Sequence, residues 1–187
     1  MKKTDNGSLD TKLKLRRYFL DKYHKVKKFS VMDCCAGSGK IWGSLRTEYN
    51  CVYCGLDTKS KNGRLKVKSE RALDAGMVAD VIDIDTYGAP WEHWFPLLPH
   101  IVRPTTVFLT IGSTHLHRQN NSAIEAAGIT FEYTPPALLG KYANIITTCC
   151  IAKCYDHDIL IVEAKEATHS HARYVGLRLR RKDEGDL

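Results

Sequence analysis

The sequence predicts an α/β fold: a mostly parallel seven-stranded sheet closed by an antiparallel C-terminal hairpin. Three observations predict it. Short apolar runs alternate with amphipathic stretches along most of the chain, the pattern of strands joined by crossover helices. The last two runs, at 159–167 and 173–181, have too few residues between them for a crossover and must pair antiparallel. Between residues 31 and 42 an apolar run breaks at small residues and passes straight into a helical pattern, a strand–turn–helix unit.

A basic helix is expected near 10–27, where Leu13, Leu15, Phe19, Leu20, Tyr23 and Val26 are interleaved with charges. A strand at 30–35 leads into a helix from about 38 to 48. The run Cys51 to Leu56 forms a second strand and ends at Asp57. A polar basic stretch, Thr58 to Arg64, reads as a loop before a short strand at 65–67 and a short helix near 70–75. The strand at 79–84 follows. Trp91 to Leu98 is helical or irregular, interrupted by Pro96 and Pro99. Thr105 to Ile111 is continuously apolar and therefore central, and helices are expected near 120–127 and 138–154. With 187 residues the chain suits one domain. The organisation expected is a basic helix at 1–28, the domain at 29–182 and a charged tail at 183–187.

A 43% hydrophobic share with 26% charged residues is globular composition, not that of a disordered chain. No apolar run suits a bilayer span, and the Lys-rich start lacks the apolar core of a signal peptide, so a cytoplasmic protein without membrane contact is expected. Seven Cys, an odd number, fit reduced thiols better than a disulfide framework. The charge is uneven. Residues 1–30 hold ten Lys/Arg against three Asp, a net +7 that equals the net charge of the whole chain. The patch from Lys12, Lys14, Arg16 and Arg17 to Lys25, Lys27 and Lys28 suits either a phosphate backbone or a solvated helix face.

The turn Asp33-Cys34-Cys35-Ala36-Gly37-Ser38-Gly39-Lys40 selects among cofactors. Glycines lacking Cβ let a ligand approach the main chain. A Walker A loop needs Gly where Cys34 stands and Ser or Thr where Ile41 stands. A dinucleotide fingerprint needs a small residue where Trp42 stands. What remains, an acid on the strand followed by Ala-Gly-x-Gly, resembles the first motif of class I S-adenosylmethionine (SAM) methyltransferases. Three further strand ends carry polar groups: Asp57, Ser69-Glu70, and the sequence Asp83-Ile84-Asp85-Thr86-Tyr87-Gly88-Ala89-Pro90. Asp57 suits two ribose hydroxyls, and Ser69 or Glu70 suits an adenine amino group, although Ser69-Glu70 also reads as a helix cap and first-turn acid. Asp85 suits an exocyclic amine, and Tyr87 a stacked base.

The 83–90 segment resembles the fourth motif of tRNA guanine-N2 dimethyltransferases, Asp-x-Asp-Pro-Phe/Tyr-Gly-Ser/Thr-x-Pro. The likeness extends to Val107-Phe108-Leu109-Thr110-Ile111 and to His171-Ala172-Arg173-Tyr174-Val175. It implies a Rossmann-like class I methyltransferase fold, with Asp33, Ala36, Gly37, Ser38 and Gly39 lining the SAM site and Asp57, Ser69 and Glu70 completing it. Asp83, Asp85 and Tyr87 would form the catalytic group, and direct displacement would need no metal. The partner implied is nucleic acid, RNA by preference. Thr86 replaces the motif's proline, and that family's N-terminal motif and C-terminal tRNA-binding domain have no counterpart in these residues. A protein or small-molecule acceptor therefore stays open, as does a methyltransferase-like module that binds RNA or protein without turnover.

Other patterns compete for a role. His115 with His117 and His169 with His171 have alternate spacing that can bind zinc, but without Cys ligands nearby. Trp91 and Trp94 suit either a base-stacking platform or core packing. The Cys34-Cys35 pair suits a core strand better than a nucleophile, and Cys149, Cys150 and Cys154 suit an apolar helix face.

Overall fold

Every predicted strand forms, and side-chain alternation along the strands decides what each face of the sheet meets. In the computed structural model, residues 8–58, 64–112, 121–126, 128, 143–169 and 172–183 are described. The elements in chain order are α1 (Leu9–Tyr23), β1 (Phe29–Asp33), α2 (Lys40–Leu45), β2 (Cys51–Asp57), β3 (Arg64–Lys66), α3 (Ser69–Asp74), β4 (Val81–Ile84) and α4 (Trp91–Leu97). They continue with β5 (Thr105–Gly112), α5 (Asn121–Ala126), α6 (Ala143–Ala152), β6 (Ile159–His169) and β7 (Ala172–Arg181). Short 3-10 turns extend α4 (Leu98–His100) and α6 (Lys153–His157). The sheet runs β3-β2-β1-β4-β5-β7-β6, with β1 to β5 parallel and β7 antiparallel to both β5 and β6. The expected seven strands and closing hairpin are therefore found. Among the described residues no helix is long and apolar enough to cross a membrane.

On one face Val31, Val81, Phe108 and Tyr174 pack against Leu13, Phe19 and Leu20 of α1 and against Trp42 and Leu45. On the other, Met32, Ile82, Ile84, Val107, Leu109, Val175 and Leu177 pack against α3, α4 and α6. The basic helix is thus a layer of the core. Phe19 and Leu20 are fully buried, each stabilising the fold by about 1.5–3 kcal/mol. His24 follows α1 and shares a 2.9 Å hydrogen bond with the Thr106 hydroxyl, and burial lowers its pKa to about 4.

Close approach of α1 requires Gly176, which pairs with Phe108 across β7 and β5. A Cβ there would enter the Phe19 ring, with Cδ2 at 2.9 Å. Phe19 is fully buried and stacked edge-on against Phe108, so it has nowhere to move. Gly176→Ala is expected to lower stability by about 1–3 kcal/mol, seen as a reduced urea midpoint. A midpoint equal to wild type would show that α1 lifts away without cost.

Candidate functional site

Asp33, Asp83 and Asp85 have the same parity along adjacent strands, so their carboxylates share the α1 face of the sheet. Asp33 and Asp83 are direct register partners. All three cluster where β1 and β4 end, and α1 lies across them. Lys12 Nζ donates to both Asp85 oxygens at 2.7 Å. Arg16 grips Asp83 bidentately, Nε to Oδ2 at 2.7 Å and Nη2 to Oδ1 at 2.6 Å. Trp42 Nε1 adds a third donor to Asp83 Oδ2 at 2.7 Å. The match is geometric. Residues four apart on a helix are separated by about 6 Å along its axis, and alternate strand residues by about 6.6 Å. An antiparallel helix therefore sets Lys12 over Asp85 while Arg16 sits over Asp83.

Asp33 has weaker partners: the Tyr53 hydroxyl at 2.9 Å and the Cys35 N–H at 3.3 Å. Burial, reinforced by Asp83, pushes its carboxyl up to about 7 against the pull of Tyr53, the Cys35 N–H and Arg16. Burial also acts to raise Asp85, but Arg16, Lys12 and Thr110 outweigh it and hold this carboxyl below its ordinary value. The carboxyl ends of β1 and β4 thus hold one acid that stays ionised and another that titrates near neutrality.

The glycine turn follows Asp33. Gly37 and Gly39 have φ of 46° and 70°, where a side chain would be strained, and Gly39 N–H closes the turn onto Ala36 O at 2.6 Å. Ala36 is buried and donates to Leu56 O at 3.0 Å, while Gly37 and Ser38 face solvent. Asp57 lies half-buried at the end of β2, alongside this turn. Gly55 makes room for the Tyr53 hydroxyl that bonds Asp33, since a Cβ there would stand 2.6 Å from that hydroxyl and 3.1 Å from Ala36 Cβ.

No family model matches this sequence, and no curated protein does either. Solved structures do. Trm1 from Pyrococcus horikoshii, in complex with S-adenosyl-L-methionine, superposes with a TM-score of 0.67 at 12% identity, covering 96% of this chain and 56% of that one. The chain thus spans little more than half the length of that protein. TYW2 from M. jannaschii, in complex with AdoMet, gives 0.55 at 11% identity over 96% and 79% of the two chains. The ribosomal protein L11 methylase of Lactobacillus delbrueckii gives 0.53 at 15% identity over 92% and 79%. The fold is that of class I SAM-dependent methyltransferases.

In this methyltransferase fold the sequence-predicted residues fall into two groups. Asp33, Ala36, Gly37, Ser38, Gly39 and Asp57 line adjoining ends of β1 and β2. Asp83, Asp85 and Tyr87 end β4, with Tyr87 89% exposed. The loop beneath Tyr87 is fixed by Gly88, which has φ of 116° and accepts from Gly112 N–H at 2.8 Å. The Thr86 hydroxyl is buried without a hydrogen-bond partner among the described residues. Ser69 is buried and paired with His93 Nε2 at 2.8 Å, so its hydroxyl is engaged within the protein, whereas Glu70 is partly exposed.

The structure corrects some expectations, decides others left open and bears out the reduced thiols. Helix α2 spans six residues, not about eleven, so its dipole contributes little to the turn. Arg16 is 1% exposed and held by Asp83, which removes it from the supposed basic patch, and Lys12 is bound to Asp85. Arg17 is paired with Glu48, and Lys14 with Asp10. Trp91 and Trp94 are fully buried core residues, with Trp94 Nε1 donating to Cys150 O at 2.8 Å, so they form no stacking platform. Burial raises Cys34 strongly and Cys35 to about 12, leaving neither as a thiolate nucleophile at neutral pH. All seven Cys are free thiols. His115, His117 and His171 lie outside the described residues, as do the loop 59–63, the start of the 138–154 helix and residues 184–187 of the tail.

Sequence reasoning missed Lys12, Arg16, Trp42 and Tyr53 as partners of the acids. The signal was there for two of them: basic residues spaced i,i+4 on a predicted helix facing acids spaced i,i+2 on a strand.

Proposed function

We propose that this chain is a SAM-dependent N-methyltransferase whose acceptor is an exocyclic amine of an RNA base. The carrying observation is the convergence of the Gly37/Gly39 turn, Asp33, Asp57 and Asp85 along one edge of a methyltransferase fold. SAM would lie across the ends of β1 and β2, where the turn admits its methionine portion and Asp57 accepts from its ribose hydroxyls. Bound SAM supplies an electrophilic methyl group. Asp85, ionised at neutral pH, accepts a hydrogen bond from the amine and directs its lone pair toward that methyl group. Tyr87, exposed on the same loop, stacks on the base. Asp83 has both oxygens occupied and acts as the anchor of the loop.

Labelled SAM incubated with pooled RNA, DNA and protein is expected to mark RNA. Asp85→Ala should lower kcat by about 100-fold or more while leaving SAM affinity unchanged. Failure to bind SAM or S-adenosylhomocysteine at millimolar concentration in calorimetry sinks the assignment.

One observation favours a second reading, a methyltransferase-like binding module. Lys12 already engages both oxygens of the Asp85 carboxylate. Salt-dependent RNA binding without methyl transfer to any pool would support that module.

A further inference from the structure

Lys12 and Arg16 look like equivalent cations one helical turn apart, but they are held differently. Arg16 is 1% exposed, and its planar guanidinium is locked by two bonds to Asp83, with Nη1 also donating to Lys12 O at 3.1 Å. Its ring-stacked position over Phe108, 5.1 Å from the centroid, adds to the lock. Lys12 has a side-chain exposure of 15%, its partner Asp85 17%. Its ammonium is a point charge on a flexible stem, lying 5.3 Å from the centroid of the Tyr174 ring. Arg16 therefore keeps α1 docked while Lys12 is able to swing outward without moving the helix.

The carboxylate that would receive the amine is covered by a cation of the protein itself. A neutral exocyclic amine cannot by itself replace an ammonium held at 2.7 Å by both oxygens. The exchange would trade a charge-assisted pair for a weaker neutral donor and leave the ammonium without an anion. An acceptor bearing a phosphate close to the base removes that obstacle, because the ammonium moves from one anion to another.

Building on the reading of Asp85 as the acceptor carboxylate, we propose that Lys12 is a positioning residue that sets specificity. It covers Asp85 until a phosphate of a polynucleotide acceptor draws its ammonium away. The site thereby discriminates against free nucleosides, which offer the same amine and no anion.

The test compares kcat and KM for nucleosides and for a mixed-sequence oligoribonucleotide pool, with wild type, Lys12→Met and Lys12→Arg. Met keeps the apolar stem against Tyr174 and removes the charge. SAM binding by calorimetry reports whether each variant retains its site. Lys12→Met is expected to raise kcat/KM for nucleosides by about tenfold or more, with a smaller change for the oligonucleotide. Lys12→Arg should bind Asp85 bidentately and lower kcat/KM for both acceptors. A merely structural lysine gives the opposite order: Met loses activity on both acceptors and Arg restores it. That order, or an unchanged ratio between acceptors, overturns the proposal.

A second measurement is independent of turnover. In protein carrying nitrogen-labelled lysine, the Lys12 ammonium resonance is identified by its change in Asp85→Ala. Added oligoribonucleotide should shift it toward the position seen in Asp85→Ala, and an equal concentration of nucleoside should not. A resonance that stays fixed at saturating oligoribonucleotide refutes the gate. Absence of methyl transfer to every acceptor instead refutes the enzymatic reading.

Discussion

Replacing Arg16 with Met is expected to destabilise the protein by about 3–5 kcal/mol, the cost of leaving one member of a buried ion pair uncompensated. Both side chains are 1% exposed, so water cannot take the place of the guanidinium. Asp83 would keep the Trp42 N–H as its one remaining side-chain donor among the described residues. The desolvation that once opposed two attractive charges then acts on a carboxylate alone. A urea titration should show the loss as a lower midpoint, with an unchanged slope if the variant still unfolds in one step. The double variant Arg16→Met with Asp83→Leu should recover much of it, because a well-packed apolar pair can replace a buried ion pair at little cost. Its residual deficit reports the Trp42 indole N–H left without an acceptor. A single-variant loss below about 1 kcal/mol would show that the pair contributes no more than a surface salt bridge.

That ion pair also marks where the sequence was legible and where it was not. Strand identity and direction follow from short-range information, whereas the order in which the strands lie side by side does not. Alternation identifies the strands, the crossover rule makes β1 to β5 parallel, and the short link between β6 and β7 fixes the hairpin. The glycine turn was legible because Gly37 and Gly39 announce a backbone that side chains disfavour. The role of the N-terminal helix was not legible. A run of Lys and Arg has the same composition whether it faces phosphate or buried carboxylates, and only register distinguishes the two. Arg16 meets Asp83 across 67 residues of chain and Lys12 meets Asp85 across 73. The i,i+4 spacing of the bases matches the i,i+2 spacing of the acids, but no local pattern says that these two segments meet. Trp42 illustrates the same limit. Its bulk excluded a dinucleotide loop, while its indole N–H serves as a donor to an acid that local sequence does not point to.

Asp33 is expected to make stability fall as pH rises from about 4 to about 7. Its pKa in the folded protein is about 7, raised by burial and by Asp83 above the ordinary value of 3.8. The folded state therefore binds this proton more tightly than the unfolded state does. The resulting stabilisation is complete below about pH 4 and is lost as pH climbs through about 7. Its size is on the order of a few kcal/mol, since each tenfold gain in proton affinity on folding corresponds to about 1.4 kcal/mol. Below that window the sign reverses for Asp85, whose depressed pKa makes the fold lose stability as acid protonates it. His24, held down to about 4 by burial, acts in the opposite sense over the same range, so the Asp33 contribution is read from the difference in urea midpoint between wild type and Asp33→Asn. Asp33→Asn mimics the protonated side chain, so its midpoint should rise relative to wild type between about pH 4 and pH 7; a difference that stays constant across that range would place the titration elsewhere. Under the proposed function, binding of SAM would couple to the same proton. The cationic sulfonium and ammonium of SAM, placed at the Gly37/Gly39 turn beside Asp33, would favour its charged form and expel the proton. Affinity should then rise with pH up to about 7, and calorimetry in buffers of different ionisation enthalpy should register proton release. In Asp33→Asn both the release and the pH dependence should vanish. Proton uptake on binding would show that the cationic end of SAM does not lie beside this carboxylate.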